Sequence, residues 1–150
     1  MTIPRPTWLF QASPDRYDIE RSLQVEAREQ WNCRQHAARI RQGDRVLIWI
    51  SGKDAGIYAI GTILTDPVER ADSVRGLSYW KRKSEGLEAW PRVEVRYDRV
   101  LLDRPLAKVF LQWDEALADL SVIAQPRGTN FKVQEAEWQA IARWLDEPTS

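Results

Sequence analysis

Apolar and polar positions are most regular through the middle of the chain, where residues 45–51 and 56–64 are apolar on both alternating faces. A strand with two apolar faces is covered on both sides. The pair therefore predicts a hairpin at the centre of a sheet, turning at Gly52, Lys53, Asp54 and Ala55. Further on, Val93, Val95 and Tyr97 alternate with Arg92, Glu94, Arg96 and Asp98, the pattern of a strand with one wet face. Residues 7–12 read as a short opening strand, halted by Ser13, Pro14 and Asp15. Asp18 then stands where it can cap a helix through Ile19 and Leu23 toward Ala27. A second short helix is predicted after Trp31, with Ala37 and Ile40 on one face and Gly43 ending it. Residues 71–90 are polar with isolated aromatics and read as a long excursion around the sheet. Two helices are predicted to close the chain. One covers 113–120, and the other starts near Gln134 and puts Trp138, Ile141, Ala142 and Leu145 on one face. Between them, 125–131 is a loop of turn formers ending in Phe131. Strands mixed with short helices predict an α+β fold around a curved or barrel-like, mostly antiparallel sheet, forming one domain over 1–150.

Composition changes the picture in one respect. Eight tryptophans in 150 residues exceed what an ordinary core calls for, so some indoles are candidates to present a flat face to a ligand. Charge limits what that ligand can be. The formal net charge is zero, whereas nonspecific nucleic-acid binders draw their affinity from a basic excess. Any nucleic-acid site here must use a local basic rim and few phosphates. Cys33 is the lone cysteine, so no internal disulfide forms, which suits a reducing, cytoplasmic setting. The start of the chain lacks a leader's apolar core. The longest apolar run, Val46 to Ile50, is too short to cross a membrane.

The chemistry-bearing motifs are sparse. His36 is the single histidine, and no metal-ligand spacing occurs. The paired cysteines of a zinc deaminase, a glycine-rich phosphate loop and a nucleophile elbow are all missing. No catalytic residue, metal or cofactor is expected.

Three segments acquire meaning together. They are Trp8-Leu9-Phe10-Gln11-Ala12-Ser13-Pro14-Asp15, then Trp31-Asn32-Cys33-Arg34-Gln35-His36-Ala37-Ala38-Arg39, and then Gly43-Asp44-Arg45-Val46-Leu47-Ile48-Trp49-Ile50-Ser51-Gly52 followed by Gly56-Ile57-Tyr58-Ala59-Ile60-Gly61. In order and spacing they resemble the EVE domain family, which is PUA-like and related to the YTH readers. The late Gly128-Thr129-Asn130-Phe131 is similar to a segment of some bacterial members. Gln11 stands where the family often carries lysine, and Gln35-His36 where it often carries an Asn-Tyr pair. The first hairpin strand lacks the histidine of eukaryotic members.

The resemblance implies a PUA-like fold and a pocket for one modified base between the opening strand, the segment after Trp31 and the central hairpin. Trp31, in a polar neighbourhood, and Trp49 are the candidate cage walls; a core position is the competing role for each. Ser13 and Gln11 are candidates for the base edge, as against turn former and solvated strand end. Arg34 can serve base or phosphate, or simply sit on a surface. Asn130 is a candidate base contact, and Phe131 is either an anchor at the far lip or a core residue. Trp80 with Lys81, Arg82 and Lys83, Trp90 beside Pro91 and Arg92, and Arg127 are candidates for a nucleic-acid rim, though a charge run also suits plain solvated surface. Trp8, Trp138 and Trp144 read as core, Cys33 as a small buried hydrophobe, and His36 as a surface or half-buried residue.

The function expected is non-catalytic recognition of a modified base, a C5-modified cytosine in DNA being favoured over a modified RNA base. Any cutting then belongs to a separate nuclease or modification enzyme. Two other classes stay open at this point: a nucleotide-binding subunit of a processing enzyme, and a protein-interaction module built on the same indoles.

Overall fold

The computed structural model describes residues 4–149; the first three residues, part of the stretch read as lacking a leader's apolar core, lie outside it. Its strands are β1 (Thr7–Ala12), β2 (Arg28–Asn32), β3 (Arg45–Ile50), β4 (Gly56–Ile63), β5 (Val68–Arg70), β6 (Trp90–Val100), β7 (Leu106–Ala107) and β8 (Asn130–Val133). The helices are α1 (Ile19–Val25), α2 (Val74–Leu77), α3 (Lys83–Leu87), α4 (Lys108–Leu111), α5 (Ser121–Ala124) and α6 (Glu135–Leu145), with a single 3₁₀ turn at Arg34–His36.

Six strands lie in the order β2-β6-β4-β3-β1-β8, with β5 added beside β6 and β7 beside β4. β1 and β3 run parallel, Thr7 facing Arg45 and Ala12 facing Ile50. The β1/β8, β2/β6, β3/β4 and β4/β6 pairs are antiparallel. The predicted central hairpin is therefore present, and all six residues of β3 are buried. Register breaks at Ile48/Trp49 and at Ile60/Gly61 bend these strands and curl the sheet into a half-barrel. A Cβ on Gly61 would lie 2.6 Å from the Arg96 carbonyl oxygen, so the bend between β4 and β6 needs a residue without one.

Period-two alternation divides the interior into two cores. Trp8 and Phe10 of β1 and Val46, Ile48 and Ile50 of β3 face a first core completed by α1, Trp31, Tyr79, Val93 and Val95. Leu9, Leu47 and Trp49 face a second core closed by Phe131, Val133 and the Trp138, Ile141, Leu145 stripe of α6. As expected, Trp8 and Trp138 are core residues, and Cys33 is buried, its thiol pushed up to about 11 by that burial.

Five expectations need correction. Residues 28–32 form a strand, β2, where only a helix after Trp31 was predicted. Residues 130–133 form another, β8, within what read as a loop and helix entry. The 113–120 helix is absent: α4 ends at Leu111 and α5 starts at Ser121, with turns between. Here the Asp114 carboxylate accepts from the Ala116 N–H at 2.9 Å, a local bond that competes with helix, and Trp113 is 84% exposed. Trp144, expected in the core, is 46% exposed and donates its N–H to Asp114 at 2.9 Å. Asp18 does precede α1, but its carboxylate makes no capping bond.

Candidate base-binding cavity

Where β1 and β3 end together at Ala12 and Ile50, the chain turns away and leaves a cavity of about 620 Å³ on the first-core side. Its aromatic lining comes from four separate segments: Tyr17 after β1, Trp31 in β2, Trp80 between α2 and α3, and Trp90 at the start of β6. Trp31 lies 5.9 Å from the Phe10 ring, and Tyr17 meets Trp80 edge-on at 5.0 Å.

Two buried acids hold these rings. The Trp31 indole N–H donates to the Tyr97 hydroxyl at 2.9 Å, and Tyr97 donates to Glu29 Oε1 at 2.6 Å. Ser22 donates to the same oxygen at 2.8 Å, while Tyr17 donates to Oε2. Burial pushes the Glu29 carboxyl above its ordinary range, against the lowering effect of these three hydroxyls. Burial, then the Glu29 charge, also raises both Tyr17 and Tyr97, so these phenols stay protonated as donors. On the other wall, Trp80 donates its N–H to Asp72 at 2.7 Å. Burial raises Asp72 as well, and the Trp80 bond opposes the shift. A Cβ on Gly86 would lie 2.5 Å from Trp80 Cδ1, so the indole rests on bare backbone.

The far lip is the 126–129 segment, and it is tied down. The Gln11 amide donates to the Pro126 and Gly128 carbonyls at 2.9 and 2.8 Å, and Gln35 Oε1 accepts from the Thr129 and Asn130 N–H groups at 2.6 and 2.8 Å. At the mouth, the Arg34 guanidinium lies over Trp90, 4.1 Å from the ring centre. Arg92, buried behind this edge, donates to the Arg70 and Glu88 carbonyls at 3.0 and 3.3 Å.

Of the residues predicted from sequence, Trp31, Ser13, Gln11, Arg34 and Trp80 all line this cavity. Gln11 spends its amide hydrogens on the lip. Three others are elsewhere. Trp49, 2% exposed, points into the second core because its strand parity is opposite to that of Ile48 and Ile50. Phe131 packs in that same core. Asn130 is 4% exposed and works as a brace, donating to the Asn32 carbonyl at 2.8 Å and accepting from the Gln35 N–H at 3.3 Å. Lys81, Arg82, Lys83 and Arg127 are exposed and flank cavity residues without lining the cavity. Lys83 is turned back onto the Leu77 carbonyl at 2.7 Å. His36 is half-buried, its ring centre 5.1 Å from that of Trp8 in a tilted arrangement, and burial lowers its pKa.

The sequence reading missed Tyr17 and Glu29 as lining groups and had Trp90 and Arg92 on the rim, whereas both line the cavity. A usable signal did exist for Glu29: it lies two residues from Trp31, hence on the same face of any strand through both. Among the described residues, no group of three or more His, Cys, Asp or Glu side chains could hold a metal ion. No helix among them is long and apolar enough to cross a membrane.

Comparison with solved structures returns the same architecture. A hypothetical protein from Leishmania major superposes with a TM-score of 0.70 at 20% identity, over 95% of each chain. A Pseudomonas syringae protein gives 0.67 at 21%, over 92% of this chain and 98% of its own. Human THYN1 protein, solved in complex with 5-methylcytosine-containing DNA, gives 0.68 at 15%, over 95% and 99%. At these identities the likeness carries the fold, a curled mixed sheet with short helices of the PUA-like kind. No curated protein matches the chain. The EVE domain model matches residues 6–144, nearly the whole length, and the chain belongs to the EVE domain family.

Proposed function

We propose that this domain binds DNA carrying a modified cytosine, takes that base out of the helix into the cavity, and does no chemistry on it. The observation that carries the reading is the aromatic cavity itself. Its size falls in the range of small-ligand sites, roughly 300–1,000 Å³, and indoles from separate segments line it with their N–H edges bonded to partners in the fold. The relative solved with 5-methylcytosine-containing DNA supports the choice of polymer and base.

The energetics are consistent. Extruding a base costs a few kcal/mol, and stacking on an indole returns about 1–3 kcal/mol. A single methyl group in an apolar pocket adds about 1–3 kcal/mol of discrimination. Arg16 and Arg34 line the mouth, with Lys81 and Arg127 beside it, and these can meet the flanking phosphates. With so few cations, affinity should fall only gently with salt. Cleavage or modification of the bound DNA falls to a separate enzyme.

The test is titration of oligonucleotides, DNA and RNA, that differ by one 5-methyl group on one cytosine. Preference for methylated DNA is expected, and Trp31→Ala should weaken its binding by roughly 5- to 150-fold if one stacked ring face carries about 1–3 kcal/mol. Equal affinity for methylated and plain DNA would overturn the reading, and preference for methylated RNA would move it to the other polymer.

A further inference from the structure

Thymine and 5-methylcytosine share a ring outline and a 5-methyl group. An aromatic cavity that rewards the methyl therefore accepts both. The two differ at position 4, where cytosine carries an amino donor and thymine a carbonyl acceptor, and at N3. A site for methylated cytosine needs a group that only accepts.

Three lining side chains are carboxylates, which only accept: Glu85, paired with Arg16 at 3.7 Å, Glu88, which is exposed, and Glu29, which is buried. Gln30 and Asn32 have amides, which turn to present either a donor or an acceptor, and Ser13 has a hydroxyl that does the same. Glu29 is different. An ionised carboxylate offers about four acceptor sites and no donor. Ser22 and Tyr97 occupy two sites on Oε1, and Tyr17 occupies one on Oε2. One site on Oε2 is left, and both Glu29 and Tyr17 line the cavity. All three partners are neutral hydroxyls, so among the described residues no cation neutralises the charge.

We infer that Glu29 is the specificity-determining residue for the 4-amino group: its remaining Oε2 site accepts an amino N–H of 5-methylcytosine and repels O4 of thymine. The inference rests on the proposed function and adds the rejection of the natural competitor. The three hydroxyl donors hold the carboxylate in one orientation, so it cannot swing away to relieve the repulsion.

Four duplexes test this, identical except that one position carries 5-methylcytosine, cytosine, thymine or the 4-deamino analogue 5-methylpyrimidin-2-one. Each test base is set opposite an abasic site so that no pairing is lost on extrusion. Alkaline buffer favours the ionised form of Glu29, against the effect of its burial. The wild-type chain should bind 5-methylcytosine on the order of 10- to 100-fold more tightly than thymine and the deamino analogue. Glu29→Gln, whose amide can turn, should bring thymine within a few-fold of 5-methylcytosine. Circular dichroism and the thermal melt of the variant report whether the domain is folded. Undiminished thymine rejection by Glu29→Gln overturns the inference, as does tight wild-type binding of the deamino analogue, an arm that needs no variant. Loss of the methyl preference in the wild-type chain would instead overturn the proposed function beneath it.

Discussion

Trp31 and Trp49 are both buried strand tryptophans, 7% and 2% exposed, yet one borders a cavity and the other fills a solid interior. The difference lies in what each face of the sheet offers an indole. On the first face, buried acids take up aromatic donors. Asp44 accepts from the Trp8 N–H at 2.9 Å, Asp72 from Trp80 at 2.7 Å, and Glu29 holds Tyr97, which in turn holds Trp31. On the second face, the buried charge is a cation. Arg45 lies 3.9 Å from the centre of the Trp138 ring and donates to the Thr7 hydroxyl at 3.0 Å. A ring fixed by its polar edge does not need neighbours on both faces. A ring fixed by packing does. The acid-anchored face can therefore leave indole surface beside an empty space.

The largest effect expected from this contrast is on stability. Trp49→Ala opens a hole in a closed core and should cost about 3–5 kcal/mol, read by chemical denaturation. The surviving folded fraction should keep the wild-type preference for a methylated base. Loss of that preference would show that the second face takes part in recognition. Trp90→Ala reverses the pattern. Trp90 is half-buried and bears Arg34 on its ring, so stability should change by less than about 1 kcal/mol. Affinity for methylated DNA should fall by about 1–3 kcal/mol. Unchanged affinity would remove Trp90 from the wall. Asp72→Asn is smaller again. It keeps an oxygen for the Trp80 N–H and removes a buried charge, but loses the charge-assisted bond. The net change in stability should be about 1 kcal/mol, accompanied by altered Trp80 fluorescence. An unaltered signal would show that the carboxylate does not set the environment of the ring.

These cases also mark how far the chain could be read without coordinates. β1, β3, β4 and α6 were legible because their apolar residues repeat at the period of the element. The same alternation put Trp49 and Ile48 on opposite faces, but parity alone cannot say which face holds a cavity. β2 was not legible, since Arg28-Glu29-Gln30-Trp31-Asn32 contains one apolar residue. Its second inward residue is Glu29, and an acid reads as solvent-facing until its partners are known. Those partners, Tyr17, Ser22 and Tyr97, lie 12, 7 and 68 residues away. Asn130 and Gln11 illustrate a related point: their amides are engaged in bracing the lip and its neighbours, and no local pattern records that.

The finest test of the comparison sets Glu29 against Glu26, three residues away. Glu26 accepts two hydrogen bonds from Arg75, at 2.7 and 2.8 Å, and one from Tyr79 at 2.6 Å. These bonds, Arg75 foremost, hold its carboxyl below the ordinary range, whereas burial lifts Glu29 above it. The two residues should therefore make stability depend on pH in opposite senses. For Glu26, the folded pKa is depressed, so its contribution is present above the unfolded carboxylate value and fades as pH falls through the folded one. For Glu29, the folded pKa is raised, so its contribution is complete below the unfolded value and fades as pH climbs through the folded one. Unfolding free energies across the acidic range, with Glu26→Gln and Glu29→Gln each subtracted from wild type, should give difference curves of opposite slope. The Glu26 curve should be the shallower and flatten with salt, because Arg75 is 72% exposed and its ion pair is screened. Two curves of the same slope would mean that hydroxyls alone suffice to hold Glu29 like a paired acid. The first face would then differ from an ordinary surface network only in depth.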